Sequence, residues 1–163
     1  SGAVVCLPTP AASTVPLTDN ADHILKINTF DGTVKTLDNV ELPETGGDGE
    51  LLWASGALAS DNNIYYMPSN ARRIMRLNPD NDSLSSVGDD LGGGSSKYNG
   101  TVVGNDNCVY GIPYHATRIV KFDPTNPDTT STVGEEAEEF LSVGMVYWVV
   151  MVTSMLRMMN VKY

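Results

Sequence analysis

The segment Ile64-Tyr65-Tyr66-Met67-Pro68-Ser69-Asn70-Ala71-Arg72-Arg73-Ile74-Met75-Arg76-Leu77-Asn78-Pro79 occurs again, without a gap, as Val109-Tyr110-Gly111-Ile112-Pro113-Tyr114-His115-Ala116-Thr117-Arg118-Ile119-Val120-Lys121-Phe122-Asp123-Pro124. The step is 45 residues. Self-similarity at such a period constrains a fold more than composition does, because each copy must be one supersecondary unit. Upstream, Ser55-Gly56-Ala57-Leu58 matches Asn99-Gly100-Thr101-Val102; downstream, Ser86-Val87-Gly88 matches Thr132-Val133-Gly134. An earlier copy is more divergent. Ala21 to Asn28 matches Ala71 to Asn78 at a step of 50, and Val4 to Pro8 matches Val109 to Pro113. This copy lacks its first strand, so the chain is expected to begin inside a repeat, with a Pro/Thr/Ala-rich loop from Thr9 to Asn20.

Each copy reads as four short strands. In the third they are Gly100 to Gly104, Cys108 to Pro113, Arg118 to Phe122 and Thr130 to Val133, separated by polar turns. Alternation puts Ile119 and Lys121 on one face, Val120 and Phe122 on the other. Asp31-Gly32 in the first copy predicts a tight two-residue hairpin. A four-stranded unit near 45 residues is the pattern of a propeller blade, which cannot bury both faces alone and must stack. The expected fold class is therefore all-β: a partial β-propeller of about three four-stranded antiparallel blades, at about 1–52, 53–97 and 98–140, with an aberrant C-terminal tail. Three blades are too few to close a ring, because propellers have ~4–8.

The tail, 141–163, breaks the pattern. Leu141 to Met159 loses the acidic, Asn/Gly-punctuated style and holds most of the methionines. Reading its degenerate codons from each third base permits W-N-G-V-L-G-G-D-G-N-I-Y-A-A-N-D, with a glycine at position 145, which is 45 beyond Gly100. The tail is accordingly expected to be an out-of-frame remnant of a fourth blade. The rivals are a membrane anchor and a divergent strand pair. Leu141 to Leu156 is shorter than the ~20 residues of a spanning helix and rich in strand-forming Val and Tyr.

Twenty acidic residues against ten basic give a formal charge of −10, which argues against nucleic acid and anionic membranes as partners. A membrane partner is expected only if the tail is an anchor. Cys6 and Cys108 have no metal or redox spacing, and His23 and His115 lack ligand spacing, so no metal, cofactor or catalytic residue is assigned. Asp80-Asn81-Asp82 lacks the glycine and glutamate of a calcium loop and reads as a turn. Gly92-Gly93-Gly94-Ser95-Ser96-Lys97 lacks the ending of a phosphate loop and reads as a flexible inter-blade linker. Glu135 to Glu139 reads as a solvated charge run. Asn81-Asp82-Ser83 and Asn99-Gly100-Thr101 fit the glycosylation pattern, which matters only in a secreted chain. No signal peptide is visible; a soluble chain is expected, its compartment left open.

Trp53 or Tyr98 before a glycine, then Ile-Tyr-Tyr-Met-Pro or Val-Tyr-Gly-Ile-Pro, then Ala and Asn-Pro or Asp-Pro, resembles propeller-repeat proteins of unicellular algae. Those look similar to Kelch-like and YVTN-like propellers. The resemblance covers most of 1–140, implies the fold, and carries over no catalytic residue. By analogy with propellers that bind at their loops, Asn70, Arg72, Tyr114, His115 and Thr117, in the turns between second and third strands, are the candidate binding residues. The expected function is a non-catalytic scaffold or binding module for a protein or small ligand. The alternative is part of a propeller hydrolase or lactonase with a metal at the channel mouth, although the predicted inner strands, Gly56 to Ser60 and Gly100 to Gly104, supply no ligands.

Overall fold

The structure is a computed structural model that describes residues 3–6, 24–28, 31–37, 43, 51–134 and 136. The tail at 141–163 and the loop from Thr9 to Asn20 lie outside the described residues. Eleven strands are described: β1 (Ala3–Cys6), β2 (Ile24–Asn28), β3 (Val34–Leu37), β4 (Trp53–Leu58), β5 (Ile64–Pro68), β6 (Ile74–Asn78), β7 (Ser83–Val87), β8 (Tyr98–Val103), β9 (Val109–Pro113), β10 (Ile119–Phe122) and β11 (Thr130–Val133). They form three antiparallel meanders: β1 to β3, β4 to β7, and β8 to β11. No helix occurs among the described residues. The fold is all-β and its two complete sheets are four-stranded blades, as the repeat predicts.

Strand pairing reproduces the repeat residue by residue. Leu77 faces Ile64, as Phe122 faces Val109 and Ile27 faces Val4. Val87 lies opposite Ile74, Val133 opposite Ile119 and Leu37 opposite Ile24. The innermost strand corrects the sequence alignment by one residue. Ser55 pairs with Met67 and Gly100 with Ile112, so the step of 45 holds there too, and Gly56 corresponds to Thr101. The strands also start earlier than predicted, at Trp53 and Tyr98. A register shift at Trp53/Ser55 and at Tyr98/Gly100 lets both aromatic residues pair with the prolines at the far end of the next strand.

The first hairpin also departs from the expected two-residue turn. Five residues separate β2 from β3, and of the described ones, Asp31 to Thr33, only Gly32, at φ +72°, takes the left-handed conformation. Asp31 instead accepts the Thr33 N–H at 2.9 Å and the Thr33 hydroxyl at 2.7 Å, so a side-chain turn does the work expected of a two-residue loop.

Period-two alternation gives the middle sheet two apolar faces. One face of the second sheet, with Tyr66, Met75 and Leu77, packs on Ile24 and Leu37 of the first sheet and on Trp53. The other, with Tyr65, Met67 and Ile74, packs on Val109, Val120 and Phe122 of the third. The Tyr65 and Phe122 rings lie 5.1 Å apart. Three sets of hydrogen bonds hold the second and third sheets together. At the inner strands, Ser55 Oγ and Thr101 Oγ1 are 2.8 Å apart. At one rim, the Lys97 N–H donates to Ser69 O at 2.9 Å. Toward the outer strands, the Gly88 N–H donates to Pro127 O at 2.7 Å, and the Thr130 N–H donates to Asp89 at 2.7 Å. Gly111 permits this closeness: a Cβ there would stand 2.7 Å from Val120 and 3.1 Å from Met67.

Candidate functional site

The turns between second and third strands of the two complete blades share one backbone. Ser69 N–H donates to Leu52 O at 2.8 Å, and Tyr114 N–H donates to Lys97 O at 2.8 Å, one repeat later. Ala71 N–H and Ala116 N–H donate to the same two carbonyls at 3.1 Å. These bonds tie each turn to the segment that enters its own blade. The small Ala71 and Ala116 sit where the chain folds back, which is why both copies keep alanine there.

The linker from Gly88 to Lys97 joins the two turns and is not a bare spacer. Leu91 N–H donates to Arg72 O at 2.8 Å. Lys97 Nζ, on a buried side chain, donates to Ala71 O at 2.7 Å and to Gly94 O at 3.2 Å. Gly92 and Gly94 take φ of +78° and +140°, a path that favours glycine.

The candidate residues divide by what they touch. Asn70 Oδ1 accepts the Ser96 N–H at 2.6 Å and so fixes the linker. Arg72 donates to Asp90 at 2.7 Å from Nη2, and this contact holds the Asp90 carboxyl below its ordinary range. Thr117 Oγ1 donates to Glu136 at 3.2 Å, beside the Arg118–Glu136 pair at 3.3 Å. Tyr114 and His115 stand out. Their rings stack at 4.6 Å and 29°, Tyr114 is 49% exposed, and His115 Nδ1 lies 3.1 Å from Ser95 O. The Ser95 to Lys97 segment therefore brings Asn70, Tyr114 and His115 to one patch, whereas Arg72 and Thr117 engage acidic partners beside it.

The turns between first and second strands carry a charge-bearing device that the sequence reading missed. Asp61 accepts the Asn63 N–H at 3.1 Å and the Tyr65 hydroxyl at 2.7 Å. Asp106 accepts the Cys108 N–H at 3.2 Å, the Tyr110 hydroxyl at 2.7 Å and Lys121 Nζ at 2.8 Å. Burial works against the Asp106 carboxylate, but Lys121, Tyr110 and the Cys108 N–H outweigh it and hold the carboxyl well below its usual range. Burial first, and Asp61 second, push the Tyr65 phenol up. The four-residue step from Asp61 to Tyr65 and from Asp106 to Tyr110 was the available signal.

One turn feature changes meaning. Asp82 accepts Lys26 Nζ at 2.6 Å and Lys35 Nζ at 3.4 Å, so the Asp80-Asn81-Asp82 turn anchors the first sheet to the second. Cys108 is a buried free thiol, its pKa raised by burial and then by Asp106. Among the described residues, no three His, Cys, Asp or Glu side chains form a group that could hold a metal, and no helix is long and apolar enough to cross a membrane.

These stacked, repeated four-stranded meanders define a propeller-like fold. Solved structures share it. Virginiamycin B lyase from Staphylococcus aureus aligns over 79% of this chain and 44% of its own, at a TM-score of 0.52 and 19% identity. A catalytically inactive variant of that lyase, solved with quinupristin, aligns over 83% and 47%, at 0.52 and 14%. The chain thus spans less than half the length of these proteins. No protein-family model and no curated protein matches the sequence.

Proposed function

We propose that the chain is a non-catalytic binding module, a run of propeller blades that contacts a protein or small ligand through the rim carrying Asn70, Arg72, Tyr114, His115 and Thr117. One observation carries this reading. The rim backbone repeats from blade to blade, yet Ser69-Asn70 in one copy is Tyr114-His115 in the next, leaving a stacked aromatic pair open to solvent. An exposed ring with a polar tip provides a large contact area at small entropic cost. The platform suits a flat heterocycle or a proline- or arginine-bearing peptide loop. Its repeats belong with the algal, Kelch-like and YVTN-like types on this reading. Nucleic acid is not a proposed partner, because the formal charge is −10.

A thermal-shift screen of heterocycles and short proline- or arginine-rich peptides tests the assignment. Ligands that stabilise the native chain should lose that effect in Tyr114→Ala. Equal stabilisation of both proteins would move the site elsewhere.

A second reading has one observation in its favour: the aligned solved protein is a lyase, an enzyme on this fold. Here the chain would be part of a propeller enzyme, a hydrolase or lactonase with a metal at the channel mouth. A stoichiometric divalent ion in metal analysis of the purified protein would favour it.

A further inference from the structure

Two observations converge on the outer face of the third sheet. The first is the Asp–Tyr device. Its pattern is Asp, then a residue in the left-handed conformation (Asn62 at φ +63°, Asn107 at φ +61°), then Tyr four places after the Asp. The amino-acid sequence has no third copy after Tyr110. The codons of 145–155, read from their third bases, do provide one. That frame permits Gly-Val-Leu-Gly-Gly-Asp-Gly-Asn-Ile-Tyr, which aligns without a gap on Gly56-Ala57-Leu58-Ala59-Ser60-Asp61-Asn62-Asn63-Ile64-Tyr65 and, since Gly56 corresponds to Thr101, lies 44 residues beyond the third copy and not the 45 that Gly100 suggests. The genetic code forces four of these residues: Gly at positions 145, 148 and 151, and Leu at 147. The forced glycines fall opposite Gly56, where a Cβ would stand 2.6 Å from the Tyr66 ring, opposite the buried Ala59, and opposite the left-handed Asn62. The forced Leu falls opposite Leu58. Wobble bases permit the Asp and the Tyr.

The second observation is the face itself. Tyr65, Met67 and Ile74 are the side chains by which the second sheet packs on the third. Their equivalents one repeat later are Tyr110, Ile112 and Ile119. With Cys108 and Val102 these form an apolar cluster whose members, among the described residues, all come from the third sheet, and Cys108, Tyr110 and Ile112 are buried as interface side chains are. It continues the established sheet-to-sheet interface by one more step.

We propose that the face of Tyr110, Ile112 and Ile119 is the docking face for a fourth blade, and that the codons of Val143 to Met159 encode that blade in the frame beginning at each third base. The occupant is thus the next repeat of the same gene. It places on this face an inner strand and an Asp–Tyr turn of the type already present twice.

Sequencing the genomic locus and its transcript across the codons of residues 134–163 tests the frame. The expected result is one additional base upstream of codon 143, opening a frame that continues the repeat. Genomic and transcript reads that both match the printed frame would overturn the proposal. Docking is tested on the chain expressed with that base restored. Its urea transition should be steeper and its midpoint higher than those of the printed chain, because more surface is buried. Ile112→Ala should lower the midpoint more in the restored chain than in the printed one. Equal slopes and equal Ile112→Ala effects would overturn the docking assignment.

Discussion

At one rim of the stacked sheets, the turns after β4 and β8 place Asp61 and Asp106 in the same role, each accepting a tyrosine hydroxyl at 2.7 Å. At the other rim, the turns after β5 and β9 share their backbone hydrogen bonds but exchange Ser69-Asn70 for Tyr114-His115 and Arg72 for Thr117. A repeated side chain in a repeated place fastens the blade. A changed side chain on an unchanged backbone is released from that duty. The comparison therefore separates the groups that build the propeller from those that give this one its surface.

The largest effect should come from the core behind both rims. Phe122 is fully buried against Tyr65, and Phe122→Ala should cost about 3–5 kcal/mol in urea unfolding. Comparable loss from a rim substitution would break the division. Gly111→Ala comes next. Its new Cβ would meet Val120 at 2.7 Å, with a backbone-held strand on either side, so equilibrium unfolding should show a loss of about 1–3 kcal/mol.

The fastening rim should then reveal itself in acid. Asp61 and Asp106 titrate below their ordinary carboxyl range in the folded chain. Their contribution to stability is full above the unfolded value of about 4 and is lost as pH falls through the folded values. Melting temperature should therefore fall steeply on acidification below about pH 4, and the combined Asp61→Asn, Asp106→Asn variant should flatten that slope. An unchanged slope would remove the fastening role. Smallest of all, Tyr114→Ala and His115→Ala should change stability by less than about 0.5 kcal/mol, while Tyr114→Ala abolishes ligand stabilisation.

The same division explains what the sequence made legible. Repeats at a step of 45 identified the blade architecture, the strands and the phase of all but the innermost, because apolar alternation is local and recurs. Non-local features were hidden. The lengthened inner strands depend on register shifts at Trp53 and Tyr98, which no single copy signals. The Lys26–Asp82 bridge joins residues in different sheets, and the sequence marks only the aspartate, as part of a turn. Asn70 was placed in the right turn, but its hold on Ser96 runs through a linker that composition marks only as flexible. Tyr114 and His115 were legible because the turn was recognised, whereas their stacking was not.

The stacked blades depend most on one contact, the face-to-face packing of the second sheet on the third. A double-mutant cycle between Tyr65→Leu and Phe122→Leu measures it directly, since hydrogen bonds confined to one sheet cancel in the cycle. The predicted result is a coupling of about 0.5–1.5 kcal/mol, as expected for rings in contact. Strict additivity of the two substitutions would contradict the stacked propeller arrangement.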